Sequence, residues 1–128
     1  MAKEAVIETA VMIYGDDGIL RIRINEGAHI DLAQAKLTRE TIRRLCGETK
    51  IPVLVDATVR YTITKEAEEF GAQNANNRIA TAVISSNPFG KISLNIFLAI
   101  FKPSTTFKFF MNEEKAVEWL NEQVKRRN

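Results

Sequence analysis

The chain is poor in the residues that carry most recognisable chemistry. Its 128 residues include one cysteine, Cys46, and one histidine, His29. A lone cysteine forms no internal disulfide, which excludes a disulfide-stapled scaffold and fits a reducing compartment. A lone histidine in "EGAHIDL" has no metal-ligand spacing and no cysteine or serine beside it. There is no GxGxxG, no P-loop and no CxxC, so fingerprints for dinucleotides, nucleotide phosphates and dithiol redox work are missing. No apolar run reaches the ~20 residues that a membrane span needs. The start, "MAKEAVIETA", lacks the apolar segment and small-residue cleavage site of a secretory signal. A cytoplasmic location is therefore the expectation. Charge of one sign is also scarce: the formal net charge is +2, too small to mark a nucleic-acid binder. No metal and no cofactor is expected.

What is present reads as an ordinary globular domain. The chain is 45% apolar and 27% charged, has no repeat or linker, and is long enough to bury a core. A single domain over 1–128 is expected. "AVIETAVMIYGDDGILRIRI" predicts two strands around a turn, with Gly18 free to take positive φ. Leu20, Ile22 and Ile24 alternate with Arg21 and Arg23, giving one buried and one solvated face. "IDLAQAKLTRETIRRLCG" predicts a helix, with Asp31 as N-cap, Gln34 in capping-box position and Gly47 as terminator. "PVLVDA" predicts a buried strand, and Thr64 caps a helix over "KEAEEFGAQNA". "IATAVIS" is another buried strand, followed by a helix capped at Ser86 or Asn87. "TTFKFF" is the last strand, and Asn112 caps a final helix with Glu113 and Glu114 at its start and Lys125, Arg126 and Arg127 at its end. The order ββαβαβαβα predicts a mixed, mostly parallel five-stranded sheet with about four helices.

Four stretches carry a family likeness: "DDGILRIRI", "IPVLVDA", "AVISSNPFGKISLNIFLAIFKPS" and "FFMNEEKAVEWL". Together they resemble the STAS fold of anti-sigma-factor antagonists. The closer likeness is to small bacterial STAS-like proteins, related in fold to CRAL-TRIO lipid-transfer domains. The resemblance implies a regulatory or protein-interaction role without catalysis. Signalling STAS domains carry an Asp-Ser pair at the helix start after the strand ending in Asp, and its serine is phosphorylated. Here that strand ends at Asp56 and the helix start reads "TITKEAEEF", which puts Thr64 at the aspartate and Lys65 at the serine. Thr64 is then the residue where a phosphate would sit against a helix N-terminus, although capping alone explains it.

Ligands of open α/β sheets bind beyond the carboxyl ends of the strands. Two segments turn polar there, and they predict a partner- or ligand-binding rim of Asp56, Thr58, Arg60, Thr62, Thr64, Ser85, Ser86 and Asn87. The same residues also suit a structural role, since helix starts need polar groups for their free N–H donors. No nucleophile–base set stands out among them, so the chain is expected not to be an enzyme.

The greasiest stretch is "KISLNIFLAIFK", residues 91 to 102. On a helical wheel it has two apolar arcs, Leu94, Phe97, Leu98 and Phe101 on one and Ile92, Ile96, Ala99 and Ile100 on the other. A sheet buries one arc well, so the other meets a neighbouring helix, a second subunit or a lipid-like ligand. The first reading is a homodimer that self-associates through Leu94, Phe97, Leu98 and Phe101. The alternative is a binder of a small apolar or lipid-like ligand.

Overall fold

The computed structural model describes residues 2–74, 78–86 and 106–127. Its element order is β1 (Lys3–Val6), β2 (Ala10–Tyr14), β3 (Leu20–Ile24), β4 (Ala28–Ile30), α1 (Leu32–Cys46), β5 (Ile51–Asp56), β6 (Tyr61–Ile63), α2 (Lys65–Gln73), β7 (Arg78–Ile84), β8 (Phe107–Phe110) and α3 (Glu113–Arg127). The main sheet runs β1-β2-β3-β5-β7-β8. β1, β2 and β3 form an antiparallel meander, while β3–β5, β5–β7 and β7–β8 pair in parallel. β4 and β6 form a separate two-stranded parallel ribbon.

The mixed α/β class and the strand–helix alternation are those expected. The strand count is not: among the described residues the sheet has six strands rather than five, with two more beside it. The segment read as one opening strand is two. The amide of Ile7 donates to the carbonyl of Ala10 at 2.9 Å and turns the chain. β1 then folds back on β2, pairing Val6 with Val11. Three helices stand among the described residues. The fourth expected helix, which contains 91–101, lies outside them.

Local chemistry explains the element ends. At the β2–β3 turn Gly18 has φ +81°, a region open to glycine without a Cβ penalty. Asp17 Oδ1 accepts from the Ile19 amide at 3.1 Å, and its carboxylate takes a two-pronged pair from Arg21 at 3.1 and 2.9 Å. The Arg21 guanidinium holds the Asp17 carboxyl below its usual range. Asp31 caps α1 by accepting from the Gln34 amide at 2.9 Å. The reciprocal half of the expected capping box is replaced: Gln34 accepts from Thr9 Oγ1 at 3.0 Å and donates to Glu8 at 3.1 Å. The start of α1 is thereby tied to the turn after β1. Gly47 ends α1 at φ +69°, its amide donating to the Arg43 carbonyl at 2.8 Å.

Alternation along β5 separates two cores. Val53 faces Met12, Leu20, Ile22 and Ile42 under α1, while Leu54 faces Ala80, Ala82, Ala116 and Leu120 under α3. α2 packs beside α1. Helices therefore cover both faces of the sheet, as a parallel sheet requires.

Candidate functional site

The expected rim is divided in the structure. Asp56 ends β5 and its Oδ1 accepts from both the amide and the hydroxyl of Thr58, at 3.1 and 2.7 Å. This is an Asx-type turn, so Asp56 caps the turn that follows β5. Next to it, the Ala57 amide donates to the Ile84 carbonyl at 2.9 Å, which brings Asp56 beside the end of β7. Ser85 follows there, buried at 3% exposure, with its amide on the Phe110 carbonyl at 3.0 Å, and Ser86 is exposed. Arg60 belongs to another cluster. Its amide donates to Glu26 Oε2 at 2.8 Å and its carbonyl accepts from Gly27 at 2.7 Å.

Thr62 lies on β6, in the separate ribbon with β4, and Thr64 stands at the junction of β6 with α2. Thr62 Oγ1 lies 2.8 Å from His29 Nδ1 across the small ribbon. His29 is exposed and stands in β4. Thr64 Oγ1 accepts from the Ala67 amide at 3.2 Å and caps α2. Thr64→Ala should cost about 1 kcal/mol of stability, read by urea denaturation; no loss would show that the cap carries no weight. Asn87 and the apolar set Leu94, Phe97, Leu98 and Phe101 lie outside the described residues.

A second feature was not read from the sequence. Between α1, α2 and the sheet lies a cavity of about 170 Å³. Each helix presents residues at i, i+3, i+4 and i+7 to it: Ala35, Thr38, Arg39 and Ile42 from α1, and Ala67, Phe70, Gly71 and Asn74 from α2. Ile22, Ile24 and Val55 form its floor and Arg78 stands at its wall. The space has a sequence origin. Gly71 sits inside α2, and a Cβ built on it would meet nothing within 4 Å. A glycine inside a helix costs ~1 kcal/mol against alanine, so its use here is a signal the sequence already held.

Other reactive groups among the described residues do not form a centre. Cys46 is half-buried on α1, and burial pushes its thiol pKa up, away from thiolate chemistry. Among the described residues no three His, Cys, Asp or Glu side chains gather where a metal could be held. No helix among them is long and apolar enough to cross a membrane.

Comparison with known proteins places this geometry. The family model described as "Domain of unknown function (DUF7793)" matches residues 13–124. Among solved structures, the chain is similar to an uncharacterised DUF3478-family protein from Shewanella loihica PV-4, described as having a SpoIIAA-like fold. That match has a TM-score of 0.54 at 14% identity and covers 94% of this chain and 92% of the other. At that identity the likeness speaks for the fold alone, and the fold is STAS-like. No curated protein matches the chain.

Proposed function

The chain belongs to the DUF7793 family and has a STAS-like fold, and from that premise we propose that it is a non-enzymatic binding module with a regulatory role. The observation that supports this reading is the use of the rim's polar atoms. Asp56 holds its own turn, Thr62 lies against His29, and Thr64 caps α2. A nucleophile needs a base oriented toward it by a third group, and these contacts serve local structure instead. Generic ester, phosphomonoester and nucleotide substrates should show no turnover. Turnover that disappears in Asp56→Asn overturns the non-enzymatic reading.

What the module binds has two readings. The first is a second copy of itself through Leu94, Phe97, Leu98 and Phe101, motivated by the two apolar arcs of "KISLNIFLAIFK". Sedimentation should show a dimeric wild type and folded monomers for Phe97→Glu and Phe101→Glu; a monomeric wild type rejects it. The second is a small apolar ligand, favoured by the cavity between α1 and α2. Pockets lined by apolar side chains with a few polar groups are the usual form of small-molecule sites.

A further inference from the structure

The cavity wall carries two guanidinium groups, Arg39 and Arg78, and no carboxylate. Arg39 is engaged: its Nη1 donates to the Asn74 carbonyl at 2.8 Å. Arg78 is not satisfied in the same way. Its Nη1 reaches Thr81 Oγ1 at 3.4 Å, a long contact, and its Nε is sealed from solvent with no acceptor. Burial and the neighbouring Arg39 charge pull the Arg78 pKa down to about 10, with no carboxylate acting to raise it. The group is still cationic near neutral pH. Two ion pairs lie elsewhere, at Arg21–Asp17 and Arg43–Glu48. Residues 75–77 and 87–105 contain no Asp or Glu at all, so they offer no side-chain carboxylate to neutralise it. A charged guanidinium whose Nε is buried without an acceptor is costly, and an anion brought in from outside removes the cost.

We propose that the cavity binds a small monocarboxylate with a compact apolar body. This rests on the ligand-binding reading above and names the ligand's class. The carboxylate accepts from Arg78, and the apolar body lies against Ile24, Ile42, Val55 and Phe70. Size sets the body. A cavity of about 170 Å³ is close to the ~150 Å³ that holds one benzene, so an acid of about six to eight carbons fits and a long acyl chain does not. The apolar walls disfavour a bare inorganic anion, which would lose its hydration for a single charged partner.

The test is titration calorimetry of the full chain with hexanoate and with hexanol, a neutral match of similar size. Wild type should bind hexanoate at least about tenfold more tightly, as a charge-assisted bond to a buried donor implies. Arg78→Met should lose that preference and keep its affinity for hexanol. Gly71→Leu, which fills the space beside α2, should abolish both while circular dichroism stays native. Equal affinities in wild type overturn the anion assignment and leave the cavity reading standing. Binding of neither probe overturns both. A hexanoate preference that survives Arg78→Met, or binding that survives in folded Gly71→Leu, places the site elsewhere and overturns the proposal.

Discussion

Leu120→Ala should lower the unfolding free energy by about 3 kcal/mol. Leu120 has 0% exposure and lies in the core between α3 and the sheet. Its neighbours include Ala80 and Ala82 on β7 and Ala116 one turn earlier on α3. Small residues on both surfaces let helix and sheet approach closely, and they have no side-chain length with which to fill the space that truncation leaves. The cavity term therefore adds to the lost transfer energy instead of relaxing away. Urea denaturation should show a lower midpoint at unchanged slope. Val6 on β1 is the internal control: at 67% exposure, Val6→Ala should stay within about 0.5 kcal/mol of wild type. A Leu120 variant no weaker than the Val6 variant would mean that α3 does not pack on β7.

Arg78→Met should raise stability, by about 1–2 kcal/mol. Methionine keeps the apolar length of the side chain and removes the charge. The gain is placed low in the expected range because Arg78 as a residue retains partial exposure, although its Nε is fully covered. The sign with pH follows from the lowered pKa. In the folded state burial pulls the Arg78 pKa down to about 10, below the ordinary arginine value. The unfolded chain binds more protons between those limits, so wild-type stability rises with pH there. The variant's advantage is thus full below about pH 10 and shrinks above it. Thermal melts at pH 7 and pH 10.5 measure this. A lower melting temperature at pH 7 would mean that Arg78 is held for stability and not for a ligand. A residue that costs stability where it stands is one of the signatures of a functional site.

Much of the fold was legible because its signals are local. The alternation of Leu20, Ile22 and Ile24 with arginines, and the caps Asp31, Thr64 and Asn112, each act within a few residues, and the structure places all of them in those roles. The break between β1 and β2 was not legible, because "VIETAV" contains no glycine or proline and its β-branched residues suit one continuous strand. β4 and β6 are three residues each, too short for a period to show, and they pair across more than thirty residues of sequence. The rim was read as one site because both polar segments follow buried strands; β6, which pairs Thr62 with His29 on β4, was the missing element. The cavity joins Arg39 to Arg78 across two helices and a strand start, and no local pattern links them. Two clues were nonetheless present: an arginine at the first position of a buried strand, and Gly71 inside α2.

On the proposed reading, binding takes place inside the α1–α2 cavity and the polar rim serves structure. Amide chemical shifts of the full chain on addition of hexanoate test it most directly. The predicted result is a set of perturbed amides confined to the cavity walls, at Thr38, Arg39, Gly71 and Asn74, with Thr58 and Ser86 unmoved. Shifts centred on Thr58 and Ser86, with α1 and α2 silent, would contradict it.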